Sequence, residues 1–405
     1  MKFSKHQNKE ALLKLDDDWE LIPFQELIDS DSGGKHKIKK KDYLKTGKYP
    51  IVDQGEKFIG GYTNDSEKLI DGPFPKIIFG DHTRRFKFVD FPFGVGADGT
   101  KILTPKKKCH VKYFYYYFKS IINLPDTGYN RHFKYLKRFI IPVPPLETQK
   151  KIASVLDNAD ALRKKRQQTI GKLDELTKSL FLDMFGDPVL NPKNWPVHKL
   201  ANLGTLERGK SKHRPRNAPE LLGGPYPLIQ TGDVSNSGGY ITKYNSTYSE
   251  LGLKQSKMWK EGTLCITIAA NIANTGILTF DACFPDSVVG FKPNEKSNVE
   301  YIQGIFFFLQ KILEETAPQV AQKNINLKIL RDLEVPIPPI EDQIKFAELN
   351  NVILKTKNKS IKHLDHLDKL FNSLIQKAFK GELKFNMTNE SNVGTELENE
   401  FFNLN

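Results

Sequence analysis

The stretch of this chain nearest to a catalytic motif is Gly204-Thr205-Leu206-Glu207-Arg208-Gly209-Lys210-Ser211, which satisfies every specified position of the phosphate-cradling GxxxxGK[ST] loop. Taken alone, it would make the chain an NTPase. A phosphate loop must open a helix, because the free amides at a helix N-terminus hold the phosphates. Pro215 and Pro219 stand where that helix should run, and each removes an amide and clashes with the turn before it. The better use is a flexible basic loop in which Lys210, Lys212, Arg214 and Arg216 meet the phosphates or groove edges of DNA. Gly94-Val95-Gly96-Ala97-Asp98-Gly99 fits GxGxxG, but Thr100-Lys101-Ile102-Leu103 follows it as a strand, so a tight β turn is expected.

Other chemistries lack their parts. An adenine methyltransferase needs an Asn/Asp-Pro-Pro-aromatic segment to hold a flipped base. Only Val143-Pro144-Pro145-Leu146 and Ile337-Pro338-Pro339-Ile340 approach it, and both lack the amide and the aromatic ring. A metal-dependent nuclease needs clustered carboxylates and a lysine, yet neither Pro125-Asp126 nor Pro285-Asp286 is followed by a Glu/Asp-x-Lys at workable spacing. Cys109, Cys265 and Cys283 show no CxxC or Cys/His ligand spacing, so they are expected to be reduced structural thiols with no metal.

Recognition is the chemistry that remains. Arginine reads guanine, and asparagine or glutamine reads adenine, through paired hydrogen bonds to base edges. In the first half of the chain, residues 35–48 are lysine-rich. The candidate DNA contacts there are Lys57, the run His82, Thr83, Arg84 and Arg85 after Asp81, and Asn130, Arg131 and His132 with Lys134. In the second half they are Gln230, Thr231 and Asp233, Asn271 and Asn274, and Gln322, Lys323 and Asn324 with Asn326, beside the basic loop. Any one of these residues serves equally well as a solvated turn residue, so the expectation rests on the clusters.

What must position these clusters is a duplicated frame. Phe139-Ile140-Ile141-Pro142-Val143-Pro144-Pro145-Leu146-Glu147-Thr148-Gln149 recurs as Leu333-Glu334-Val335-Pro336-Ile337-Pro338-Pro339-Ile340-Glu341-Asp342-Gln343, with Pro142 meeting Pro336 at an offset of 194. Leu173, Leu176, Leu180 and Phe185 meet Leu367, Leu370, Leu374 and Phe379 at the same offset. Trp19 and Trp195 differ by only 176, so insertions and deletions fall in the globular parts.

Prolines at the first helical position, acidic residues in the first turn, and Gly186 and Gly381 at the far ends delimit two long helices. A 3,4 spacing through Ile152, Val155, Ala159, Leu162, Leu173, Leu176 and Leu180 recurs through Phe346, Leu349, Ile353, Leu367, Leu370 and Leu374, with Thr356 standing where Leu162 would repeat. Two such stripes related by a two-fold predict an antiparallel coiled coil, each helix ~60 Å long at 1.5 Å per residue. The fold class is therefore α+β, with two pseudo-symmetric globular recognition domains separated by two long antiparallel coiled-coil helices.

The boundaries expected are a segment at 1–18, a first domain at 19–145, a helix at 146–185, a linker at 186–194, a second domain at 195–339, a helix at 340–381 and an acidic tail at 382–405. Strands are expected at 76–79, 86–89, 101–103, 264–267, 277–280 and 287–291, and aromatic core helices at 112–122 and 299–313.

Composition agrees with a polyanionic partner. Sixty-one Lys+Arg against 48 Asp+Glu leave a formal charge of +13 over 405 residues. The charged N-terminus lacks the apolar region of a signal peptide, and no run reaches the ~18 apolar residues of a membrane span, so a cytoplasmic protein with no membrane partner is expected.

Taken together, these segments resemble the specificity subunits of type I restriction-modification enzymes. The resemblance is carried by Trp19, Phe24 and Leu27 matching Trp195, Leu200 and Leu203, and by the duplicated Pro-x-Pro-Pro-Leu/Ile-Glu-x-Gln helices. Tyr226-Pro227-Leu228-Ile229-Gln230-Thr231-Gly232-Asp233, its counterpart Tyr49-Pro50-Ile51-Val52-Asp53-Gln54-Gly55, and Gln322-Lys323-Asn324-Ile325-Asn326-Leu327 add to it. It implies a non-catalytic chain with two target recognition domains, each reading half of a split site in double-stranded DNA. It also implies two methyltransferase (modification) subunits that supply S-adenosylmethionine, and restriction/translocase subunits that supply ATP, Mg and cleavage, with no cofactor in this chain. Two alternatives stay open: a nucleic-acid-dependent NTPase using residues 204–211, and a coiled-coil adaptor that binds DNA without base specificity.

Overall fold

β-Branched and aromatic runs bounded by Gly, Pro and Asp fold as short strands, because such side chains pack well on a pleated, half-buried surface. The computed structural model describes residues 15, 17–106, 109–125, 128, 130–269, 272–316, 325–383 and 385. Its contacts divide into two units, residues 1–167 with 362–405, and residues 168–361. Each of the two long helices begins in one unit and ends in the other.

Unit 1 contains β1 (Glu20–Pro23), α1 (Phe24–Leu27), β2 (Ile28–Asp31), β3 (Lys37–Ile38), β4 (Tyr49–Val52), β5 (Gly61–Thr63) and β6 (Leu69–Ile70). It continues with β7 (Lys76–Gly80), β8 (Phe86–Val89), β9 (Phe93–Gly96), β10 (Thr100–Pro105), α2 (Val111–Ser120), α3 (Phe133–Leu136) and β11 (Ile140–Val143). The antiparallel sheet β2-β10-β7-β8 is the core layer, and β3-β9-β4-β5, with β6 paired to β9, forms a second sheet. β1 pairs with β11, placing Glu20 opposite Val143 and closing the domain at its chain ends. Tyr113, Phe114, Tyr116, Tyr117 and Phe118 of α2 are buried against Phe24, Phe79 and Leu103, so this aromatic run is core, as its density on a helix suggests.

Unit 2 repeats the plan. It contains β12 (Val197–Lys199), β13 (Gly204–Arg208), β14 (Leu222–Leu228), α5 (Thr231–Ser235), β15 (Tyr240–Ile241), β16 (Ser246–Tyr248), α6 (Glu250–Lys254) and β17 (Met258–Trp259). Then follow β18 (Leu264–Thr267), β19 (Thr275–Leu278), β20 (Ala282–Cys283), β21 (Val288–Pro293), α7 (Val299–Thr316), α8 (Leu327–Asp332) and β22 (Glu334–Pro336). Sheet β13-β21-β18-β19-β15 matches β2-β10-β7-β8 with one strand added, and β12–β22 matches β1–β11. A second sheet, β16-β14-β20-β17, stands in the place of the sheet β3-β9-β4-β5 of unit 1.

The long helices are α4 (Leu146–Phe185) and α9 (Ile340–Phe379), each of 40 residues. Gly186 and Gly381 take left-handed φ values of 80° and 74°, the conformation of a C-terminal cap that glycine adopts without steric cost. In unit 2 the ion pair Asp174–Lys357, the Thr177–Asn350 hydrogen bond and the Phe181–Phe346 ring contact show the helices antiparallel, since rising numbers on α4 meet falling numbers on α9. Unit 1 holds the equivalent ion pair, Arg163–Asp368, displaced by 194 at both partners.

The phase of the apolar stripe differs from the expectation. Leu176 and Leu349 are 49% and 42% exposed, while Leu156, Thr177 and Asn350, each one residue on from an expected position, are buried. Buried positions on α9 are Gln343, Phe346, Ala347, Asn350, Ile353, Ser360, Leu367, Phe371, Leu374, Ile375, Ala378 and Phe379. On α9, Phe346, Ile353, Leu367 and Leu374 are buried as expected while Asn350 and Phe371 replace Leu349 and Leu370; on α4, Ile152, Val155 and Ala159 are buried as expected and Leu176 is not. At Leu370-Phe371 two adjacent apolar residues fit either phase of a 3.5-residue pattern, whereas Thr177 and Asn350 are polar and so escape an apolar count.

Candidate nucleic-acid interface

The core sheet of each unit gathers the candidate residues at one of its ends. In unit 1, strand pairing sets Gly80 opposite Thr100 and Asp31 opposite Ile102, so the turn 81–85, residues 98–99 and the lysine-rich segment after residue 31 leave the sheet together. The turn is closed by Gly80 N–H donating to Arg85 O at 2.9 Å and Arg84 N–H to Gly80 O at 2.8 Å. Arg84 sits at φ 60°, a left-handed conformation uncommon for a side chain of its size.

Residues 130–134 join the same end. His132 N–H donates to Asp81 O at 2.9 Å, and Phe133 N–H to Asp81 Oδ1 at 2.7 Å. His132 is fully buried, with Nδ1 2.9 Å from Asp81 O, so it braces the turn and is not a DNA contact as expected. Asn130, Arg131 and Lys134 are exposed beside it.

The segment 53–58 backs the turn. Gln54 Oε1 accepts from His82 N–H at 3.1 Å, and Gln54 O accepts from the Thr83 hydroxyl at 2.6 Å, which takes up that hydroxyl's proton. Arg85 pairs with Glu56 at 3.2 Å; both side chains are solvated, and such a pair contributes little to stability. Gly99 has no room for a side chain, because a Cβ there would lie 2.5 Å from His82 Cδ2 and 2.6 Å from Gln54 Oε1. Lys57 is exposed at the rim.

In unit 2 the same sheet end collects the loop after β13, the loop after β18 and the turn before β21. Arg208 lies opposite Val289, Thr267 opposite Val288, and Ile268 N–H donates to Ser287 O at 3.0 Å. Ile325 N–H donates to Ile268 O at 3.1 Å, bringing Asn326 to that loop as His132 comes to Asp81.

Three expectations change here. Asn326 is the N-cap of α8, its side chain accepting from Ile329 N–H at 2.9 Å, so its carbonyl is committed to the helix. Asp233 accepts from Gln230 N–H at 2.8 Å and Asn245 Nδ2 at 2.6 Å in the capping box of α5, and is not free to read a base. The basic loop is pinned rather than flexible: Arg214 donates to Ser211 O at 2.6 Å, and Arg216 pairs with Asp286 at 2.6 Å. Lys210 and Lys212 keep exposed side chains, while Gln230 is exposed and Thr231 and Asn274 partly so. In keeping with the rejection of a phosphate loop, residues 204–208 form strand β13 against β21, and Gly209 N–H donates to Val288 O, so these amides serve the sheet and not a phosphate. Lys257 bonds Glu207 and holds its carboxyl below the usual range. Asn271, Gln322, Lys323 and Asn324 lie outside the described residues.

Sequence reasoning missed Gln54, Glu56, Lys87 and Asp286, which hold the presented residues in place. The signal for the first was present, since Tyr49-Pro50-Ile51-Val52-Asp53-Gln54-Gly55 parallels the stretch that carries Gln230.

Comparison with known proteins gives one consistent result. The profile of the family "Type I restriction modification DNA specificity domain" matches residues 16–172 and again 192–366. The chain is 25% identical over 385 residues to the type I restriction enzyme EcoR124I/EcoR124II specificity subunit of Escherichia coli, covering 88% of each chain. Its fold is similar to that of the S subunit of a type I restriction-modification system from M. genitalium, with a TM-score of 0.61 at 17% identity, over 95% of this chain and 99% of that one. A chain solved in work on complex assembly and conformational transition of the type I R-M system matches with a TM-score of 0.52 at 15% identity, over 91% and 99% of the two chains.

Proposed function

From the premise that the chain belongs to the type I restriction-modification DNA specificity family, we propose that it reads a bipartite site in double-stranded DNA, one half-site per globular domain. The observation that carries this reading is the repeated sheet end. In both units exposed basic side chains gather where loops leave the same end of the core sheet, Arg85, Arg131 and Lys134 in unit 1 and Lys210 and Lys212 in unit 2, on backbone fixed by hydrogen bonds. Lysines and arginines there set register on the phosphates, and amide or guanidinium groups read base edges in the groove.

The chain itself performs no chemistry in this account. Modification subunits, two per complex, bring S-adenosylmethionine and the methyl-transfer residues, and restriction/translocase subunits bring ATP, Mg and cleavage. The nucleotide-binding alternative meets the wrong backbone, a strand where a loop and helix are required. Among the described residues no helix is long and apolar enough to cross a membrane. A cytoplasmic location goes with the reading.

The test is single-molecule mapping of methylated adenines in a host carrying this chain with its methyltransferase partner. A split motif with two defined halves is the expected result. Methylation without any sequence preference would favour the non-specific adaptor and defeat the proposal.

A further inference from the structure

Lys87 lies in the middle of β8 and is one of the few charged side chains of unit 1 that is more than nine-tenths buried. Its ammonium donates to three backbone carbonyls of one segment: Asp53 O at 2.7 Å, Lys57 O at 2.6 Å and Phe58 O at 3.4 Å. Asp53 Oδ1 stands 3.6 Å away and is itself largely buried. Segment 53–58 is thus wrapped round a single buried charge. Burial lowers the pKa of Lys87 and Asp53 opposes that shift, which is the signature of a charge held where it is costly to hold one.

The fold does not require this charge. Strand pairing sets Lys87 opposite Ile78, and Ile78 opposite Ile102. In the twin sheet the same two steps lead from Gly290 through Cys265 to Gly276. Unit 2 therefore has glycine at the matching position, and holds its equivalent segment by the capping box of α5. The lysine belongs to the segment it gathers, and that segment contains Gln54, which fixes His82 N–H and the Thr83 hydroxyl of the presented turn.

We propose that Lys87 is a positioning residue for sequence readout by the first domain: its ammonium shapes segment 53–58 into the template that aims the turn 81–85. The inference rests on the function proposed above. It places the discrimination of one half-site under the control of a residue that touches no DNA.

The experiment is methylation mapping with the whole chain and its modification partner, comparing wild type, Lys87→Met and Gln54→Ala. Wild type alone tests the underlying reading, because a split motif must appear. Lys87→Met keeps an unbranched side chain one atom shorter and removes the charge. One half of the motif should then lose discrimination by about tenfold, the order of one lost base contact, with the other half and the gap unchanged. Gln54→Ala leaves the ammonium and its carbonyls in place and should degrade the same half. Both halves retained in Lys87→Met, or both degraded together, would overturn the proposal. If Lys87→Met yields no folded protein, Gln54→Ala decides: an unchanged motif sinks the idea of a template, and loss confined to one half sustains it.

Discussion

At the scale of single residues, the glutamine that ends the duplicated motif has a defined task. Gln149 Nε2 donates to Pro144 O at 2.9 Å while its Oε1 accepts from His110 N–H at 2.8 Å; Gln343 does the same for Pro338 O and Asn298 N–H, both at 2.9 Å. Each glutamine fastens the start of a long helix to the start of an aromatic helix, with no polar group left over. Gln343→Ala should therefore lower stability by about 1–3 kcal/mol through unpaired buried backbone groups, read as a shifted midpoint in denaturant. Lys210 is exposed on the pinned loop, and Lys210→Ala should weaken binding to all duplexes alike and reduce the slope of log K against log salt by about 0.9. ATP turnover by the assembled enzyme should stay intact, and its loss with normal DNA affinity would revive the phosphate-loop assignment. The motif glutamines were plain in the sequence because they repeat. His132, Asp233 and Asn326 were misread because histidine, aspartate and asparagine cap or brace turns with the same atoms that read bases.

At the scale of elements, the strands and both aromatic helices follow from local composition, and the long helices from their end signals. The seam phase does not. Which of two adjacent residues faces the partner helix is settled by packing, and the packing admits polar side chains at Thr177, Asn350 and Ser360. Thr177 Oγ1 lies 3.2 Å from Asn350 Oδ1, a buried hydrogen bond between the two helices. Thr177→Val should leave the asparagine short of a partner and cost about 1–3 kcal/mol, whereas Thr177→Val with Asn350→Leu should recover most of that loss. A double-mutant cycle by denaturant unfolding checks this, and additive losses would show the pair is not coupled.

At the scale of the molecule, the duplication organises everything: two ion pairs related by 194 residues, two capping glycines, two strand clasps and two sheets with loops gathered at matching ends. The long helices with their capping glycines were legible in the sequence; the ion pairs, the sheet pairing and the gathering of loops at one sheet end were not. The presented loops match no shared pattern, since each domain fixes them by its own device, a buried lysine in one and a capping box in the other. The central claim is that the two domains read DNA independently. Its most direct measurement is to exchange residues 195–336 for the equivalent domain of a relative and map methylated adenines with the same modification partner. One half of the motif should take on new bases while the other half stays as it was; a change in both halves, or in neither, would contradict the account.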